Sequence, residues 1–374
     1  MLFWCLTRLL TNVGRQAGSG FCRTQYLRNL SSSQRRRGVC QKATVLTPQP
    51  WTQHARSSGL GDSLGLKLLG FLAFSFFTKS AELEEEEKKD KEDDIILLLK
   101  RAKLSVMRGE LVAADQILHQ AIRLAHQSHN TQAIIYTYDM MANVAFLRGQ
   151  LSNAEKLFKA SMSFLLAHGA KEDDNAVIEM SLKLASIYAA QNQHQLAIHG
   201  FQFCTETLEE KIQKQKDLPE EAMSAEERAN TQLLLGLCLD SYARYLLTNR
   251  QLDQALSSYQ RALQISREVQ GDSHPQTIVL MNDMATVLDM QGHYDNAYGH
   301  VKRALELARE TDHPDQHTIL CNFAGILMHQ GHLDEAGRLY KEALKLAESK
   351  GDGEVVEQIK KGLQELSKTT SRAS

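Results

Sequence analysis

The chain has 374 residues, with 43 Lys and Arg, 45 Asp and Glu, and only five prolines. An average protein of this length holds about 18 prolines, so a chain this poor in proline is expected to be mostly helical. The near-neutral charge conceals an asymmetry, because residues 1–61 carry nine basic residues and no acid, which leaves 34 basic against 45 acidic residues for the rest. The acidic remainder disfavours a nucleic-acid-binding protein, which needs a basic face on its folded part.

The first 61 residues read as a targeting segment. They are rich in Arg and Ser and free of acid, which is the composition of a mitochondrial transit peptide, so we expect 1–61 to be a removable, disordered presequence. A short hydrophobic run, 64–78, follows it. As a helix from Gly61 to Thr78 it would reach about 27 Å, against about 30 Å for a bilayer core. We therefore expect a membrane or sorting segment at 62–79, although an interfacial helix or a part of the presequence fits the same residues.

An acidic stretch at 80–94 is interpreted as a solvated linker, and a repeat with a period near 40 follows it. Each of six units has a turn residue, an alanine five positions later and another alanine seven positions before it. No unit can bury its apolar face alone, so such units stack. Small residues at fixed slots let two antiparallel helices approach closely. The twelve slot alanines, interpreted as repeat-packing residues, are Ala102, Ala114, Ala142, Ala154, Ala185, Ala197, Ala243, Ala255, Ala285, Ala297, Ala324 and Ala336.

The pattern predicts an all-α, right-handed α-solenoid of about six antiparallel helix pairs over 95–367, with a C-terminal capping helix from Glu354 to Ser367. The third interval is lengthened by an insertion at 209–229, which is read either as a flexible loop or as a pair of helix extensions. The capping-box sequence at Ser224 predicts that a long helix starts there. The tail at 368–374 is expected to be disordered.

Catalytic and metal-binding motifs are missing from the sequence. There is no C-x-x-C, H-E-x-x-H, phosphate-binding loop, dinucleotide fingerprint or nucleophile elbow. His274, His293, His313 and His332 recur at unit boundaries, which indicates turn and cap residues rather than metal ligands. We therefore expect no catalytic residue, no metal and no cofactor, and neither a nucleic acid nor a small-molecule substrate as partner.

The slots resemble those of tetratricopeptide repeats, and units five and six resemble the stretched repeats of kinesin light chains. In these units the sequence His-Pro occurs at 274–275 and 313–314. The sequence Gly-His occurs at 292–293 and 331–332, and an alanine follows four positions after each of these histidines, at 297 and 336. The resemblance implies a concave groove lined by the first helix of each pair, which binds a protein segment. By slot, the candidate protein-binding residues of this groove are Asp139, Asn143, Asp240, Arg244, Asn282 and Asn322.

The whole architecture is similar to a mitochondrial member of the tetratricopeptide repeat family. That resemblance implies an inner-membrane, non-catalytic scaffold that binds respiratory complex III and supports its assembly or maintenance around the Rieske iron–sulfur subunit. Three alternatives stay open: a cytosolic adaptor of the kinesin-light-chain type for cargo or cell-division machinery, a soluble matrix assembly factor, and an enzyme with an unrecognised site.

Overall fold

The computed structural model describes residues 84–217, 219 and 222–373. These residues form thirteen α-helices, and no strand occurs among them. The helices are α1 (Glu84–Met107), α2 (Leu111–Gln127), α3 (Thr131–Leu147), α4 (Leu151–Ala167), α5 (Asn175–Ala190), α6 (His194–Lys216), α7 (Ala225–Thr248), α8 (Leu252–Gln270), α9 (Pro275–Met290), α10 (Tyr294–Glu310), α11 (Gln316–His329), α12 (Leu333–Lys350) and α13 (Gly353–Ala373). The expected transit peptide (1–61) and hydrophobic segment (62–79) lie outside the described residues.

The described residues fall into two compact units, 84–200 and 201–373, which divide within α6. In the first unit, α1 packs on α2, α2 on α3, α3 on α4 and α4 on α5. In the second unit each helix from α7 to α12 packs on the one that follows it. Within each unit, therefore, consecutive helices stack in chain order, which is the architecture of an all-α repeat solenoid.

The slot alanines lie in the helix pairs and all twelve are buried, with at most 1% of each residue exposed. The six turn slots between the two helices of a pair all have positive φ, at Gly109, Gly149, Asn192, Arg250, Gly292 and Gly331. Glycine adopts this left-handed conformation without strain, and its use at four of the six slots follows from that freedom. The alanine spacing therefore reflects close helix crossings, and the turn residue before each second helix adopts a left-handed conformation whether or not it is glycine.

The expected linker at 80–94 is corrected from residue 84 onward, because α1 begins at Glu84, while 80–83 lie outside the described residues. Glu and Lys are good helix formers, and acidic residues near a helix N-terminus complement its dipole, so this charged stretch continues the first repeat helix. The expected disordered tail is corrected in the same way, because α13 extends through Ala373.

The insertion at 209–229 is mostly a pair of helix extensions, since α6 extends to Lys216 and α7 starts at Ala225. The Ser224 hydroxyl accepts a hydrogen bond from the Glu227 amide (3.2 Å), and the Glu227 carboxylate accepts one from the Ser224 amide (3.1 Å). This capping box confirms the predicted helix start. The buried side chains of Gln215 in α6 and Thr231 in α7 are hydrogen-bonded at 3.4 Å. This bond connects the two lengthened helices.

The C-terminal end of the second unit is covered by α13, as the predicted capping helix requires. Ile359 and Leu366 of α13 are buried. Asp352 precedes this helix and binds its Val355 amide at 3.2 Å, while His317 of α11 lies 3.1 Å from the other Asp352 oxygen. The hydrogen bond from His317 holds the pKa of Asp352 below its ordinary value. The Asp352 carboxylate thus joins the cap to the last repeat. None of the thirteen described helices is long and apolar enough to cross a membrane.

Candidate protein-binding site

In the first unit, one face of α3 carries Tyr136, Asp139 and Asn143, which are spaced i, i+3 and i+7 and therefore share a side of the helix. The Asn143 amide nitrogen donates to the Asp139 backbone oxygen at 2.8 Å and to its Oδ2 at 2.9 Å. Asn143 is buried, and its Oδ1 has no hydrogen-bond partner among the described residues. The side chain therefore keeps an unused acceptor.

Lys183 of α5 is the charged centre of this cluster. Its Nζ lies 3.0 Å from Asp139 Oδ1 and 2.8 Å from Glu179 Oε1, and it sits 5.2 Å from the ring centroid of Phe158. Burial alone would lower the pKa of Lys183, but the carboxylates of Asp139 and Glu179 outweigh burial and raise it. For Glu179 burial has the opposite effect and raises the pKa, while the charge of Lys183 opposes that rise. The ammonium group is therefore a permanent cation flanked by two carboxyl groups.

Tyr136 stands at the edge of the same cluster and is 40% exposed. Partial burial, with the charge of Asp139 adding to the effect, raises the pKa of Tyr136. The phenol is therefore neutral at physiological pH and keeps its O–H donor. An exposed tyrosine beside a fixed polar group is typical of the residues that anchor protein interfaces. The cluster thus offers a bound segment an aromatic ring, a hydroxyl donor and the nearby carboxyl groups of Asp139 and Glu179.

In the second unit the candidate residues bind mainly one another. Arg244 Nη2 lies 2.7 Å from Asp240 Oδ2, and Gln276 of α9 donates to the same oxygen at 3.0 Å. Asn322 of α11 donates to Asn282 Oδ1 of α9 at 3.0 Å. The Gln276–Asp240 and Asn322–Asn282 bonds connect the first helices of consecutive repeats, whereas the Arg244–Asp240 pair lies within α7. The side chains that cross between helices therefore stabilise the stack in addition to any contact with a ligand.

The same connection occurs in both units. Asp139 and Asn282 lie three positions before their slot alanines, while their partners Lys183 and Asn322 lie two positions before theirs. A polar rung between neighbouring first helices is therefore a repeated feature of this chain. The structure brings Asp139 and Asn143 together, Asp240 and Arg244 together, and Asn282 and Asn322 together.

Three residues of the first-unit cluster were missed by sequence reasoning, namely Tyr136, Glu179 and Lys183. Two signals were available, since Tyr136 shares the i, i+3 spacing with Asp139 and Glu179 precedes Lys183 by four positions. Among the described residues, no group of three or more His, Cys, Asp or Glu side chains is arranged to hold a metal ion.

Comparison with known proteins identifies the repeat. Two family models described as tetratricopeptide repeat match residues 234–310 and 317–350. Two solved structures resemble this chain at 15% identity and show the fold alone. They are apo RapI, with a TM-score of 0.57 over 81% of this chain and 78% of that chain, and BtubC from P. vanneervenii, with a TM-score of 0.51 over 65% and 91%.

Curated relatives extend the comparison beyond the fold. The chain is 63% identical over 297 residues to tetratricopeptide repeat protein 19, mitochondrial, of Danio rerio, which covers 79% of this chain and 73% of the relative. It is 62% identical over 212 residues to the protein of the same name from Homo sapiens, covering 57% and 56%. A Drosophila melanogaster homolog is 26% identical over 212 residues, covering 57% and 55%. The chain therefore belongs to the family of tetratricopeptide repeat protein 19, mitochondrial.

Proposed function

We propose that this protein is a non-catalytic repeat scaffold of the mitochondrial inner membrane that binds respiratory complex III and supports its assembly or maintenance around the Rieske iron–sulfur subunit. Membership in a family whose members are named mitochondrial supports the compartment. The acid-free, Arg-rich residues 1–61 support import, and the hydrophobic run at 64–78 supports attachment to the membrane. The complex III partner rests on the resemblance described above.

The cluster around Tyr136 carries the binding part of this proposal. Its polar groups are held rigidly by Lys183, and a preorganised surface binds with a smaller loss of conformational freedom. Asp139 and Glu179 outnumber the single cation, so the cluster favours a segment that brings a basic residue. The tyrosine ring would pack on the apolar part of that segment while its hydroxyl donates to a backbone carbonyl.

The test is co-purification of complex III from mitochondrial membranes with the tagged chain, quantified by mass spectrometry. Tyr136→Ala should lower the recovery of complex III subunits by about tenfold, the effect of losing one well-placed aromatic anchor. Leu166→Ala on α4 is the matched control, because Leu166 is also 40% exposed and lies in the same unit on the second helix of its pair.

The control variant should recover complex III as the unaltered chain does, and both variants should show the same thermal unfolding. If the unaltered chain recovers no complex III, the partner assignment is wrong. If Tyr136→Ala and Leu166→Ala recover equal amounts, the site assignment is wrong.

A further inference from the structure

The first helix of the array exposes two positions that are buried in every other repeat. These outer slots lie five positions before and two positions after the slot alanine of the first helix in each pair. In α1 they hold Leu97, which is 54% exposed, and Leu104, which is 46% exposed. In the other first helices at most 8% of the residue is exposed, at Thr137 and Val144, Met180 and Ile187, Cys238 and Tyr245, Leu280 and Val287, and Ile319 and Ile326.

The reason is the position of α1 at the start of the described array. The second repeat begins with α3, and α2 of the preceding repeat packs against it. Among the described residues no helix precedes α1, so α1 has no such neighbour there. Repeat arrays usually protect a terminal helix with a polar outer face. Here the C-terminal end has its cap in α13, while α1 leaves two leucines in solvent. Apolar side chains that are exposed in a row at the end of an array indicate a surface that a binding partner covers.

Charged residues around Leu97 define what covers it. At 100° per residue, Asp93, Asp94, Lys100 and Arg101 fall within about 60° on either side of the Leu97 direction, and all four are exposed. In the other repeats the position of Arg101 is held by Met141, Leu184, Tyr242, Met284 and Phe323. The outer surface of α1 therefore differs from the apolar surface between two ordinary repeats. A partner that covers α1 has to supply both carboxylates and cations.

The chain's own N-terminal segment does not meet that requirement. Residues 1–81 contain a single acid, Asp62, and the hydrophobic run at 64–78 contains only Lys67 as a charged residue. Covering α1 with this segment would leave Lys100 and Arg101 without carboxylates. A second copy of α1, in contrast, carries both signs of charge in the required order along the helix.

We infer that α1 forms an antiparallel homodimer contact with α1 of a second copy, with the two-fold axis at Leu97. Asp94 and Arg101 lie on one side of the Leu97 direction, Asp93 and Lys100 lie on the other, and each pair is seven positions apart with Leu97 between them. A two-fold axis at Leu97 therefore places each carboxylate of one copy opposite a cation of the other, which gives four ion pairs around a contact between the two Leu97 side chains. Such an isologous interface is self-complementary, and its charges fix the register.

The test is sedimentation equilibrium of the full chain at low ionic strength, where exposed ion pairs are screened least. The unaltered chain should sediment at twice its mass of 42.0 kDa. The double variants Asp93→Lys/Asp94→Lys and Lys100→Asp/Arg101→Asp should each dimerise at least about tenfold more weakly, because like charges then face each other across the axis. All four positions are exposed, so circular dichroism should show unchanged folding.

An equimolar mixture of the two double variants provides the decisive arm, because the heterodimer restores opposite charges at all four pairs. It should sediment as a dimer although neither variant does so alone. Glu357→Lys on α13, at another exposed position, should leave the dimer intact. A monomeric unaltered chain, dimeric double variants, or a mixture that stays monomeric would each overturn the inference.

Discussion

Replacing Lys183 with methionine is expected to lower the free energy of unfolding by about 3–5 kcal/mol, the usual cost of removing one partner from a buried ion pair. The Lys183 side chain is only 8% exposed and contacts two carboxylates, at 2.8 and 3.0 Å. Methionine fills a similar volume but leaves Asp139 and Glu179 facing each other without a cation. Urea unfolding followed by circular dichroism measures the change.

Lys159→Met is the matched control for this prediction. Lys159 also binds a glutamate four positions earlier (Glu155, 2.6 Å) and also lies over an aromatic ring (Tyr188, 5.7 Å). Its side chain, however, is 54% exposed, so solvent screens the pair and the expected loss is about 1 kcal/mol or less. Equal losses from the two variants would show that burial does not set the strength of the Lys183 cluster.

Gly362→Ala is expected to destabilise the C-terminal cap by about 1–3 kcal/mol through overpacking. A Cβ at this position of α13 would lie 2.7–2.9 Å from three atoms of the Tyr340 side chain. That side chain is fully buried in α12, so it cannot move aside without disturbing the last repeat. The clash outweighs the gain of about 1 kcal/mol that alanine brings to a helix interior.

Gly325→Ala tests the same tyrosine from α11. Its added Cβ would lie 3.6 Å from the Tyr340 hydroxyl oxygen, which is an ordinary contact. This variant should be as stable as the unaltered chain or gain up to about 1 kcal/mol from helix propensity. Thermal unfolding and hydrogen exchange of α13 amides measure both variants. A Gly362→Ala protein with full protection of α13 would contradict the packing described for the cap.

The repeat could be predicted from the sequence because one physical requirement recurs six times. A close helix crossing accepts only a small residue, and twelve alanines at fixed spacing record that requirement. The helical state of 84–94 could not be predicted in the same way. A charged run lacks the apolar periodicity that marks a packed helix, and it becomes helical as the solvated start of α1.

The candidate site was only partly predictable, for a related reason. The polar rungs join residues 40 to 44 positions apart, such as Asn282 with Asn322 and Asp139 with Lys183. The two ends of a rung occupy different slots, so a search for the same slot in each repeat finds Asp139 but misses Lys183. Tyr136 was missed because its exposure depends on the neighbouring helices, which the sequence does not show.

The central claim, that the Tyr136 face of the repeat array contacts complex III in mitochondria, is tested most directly by photo-crosslinking in intact organelles. A photoreactive phenylalanine analogue at position 136 keeps an aromatic ring in place, and the same analogue at position 166 serves as the equally exposed control. We predict adducts with complex III subunits from position 136 and none from position 166. Complex III adducts of equal yield from both positions, or none from position 136, would contradict the account.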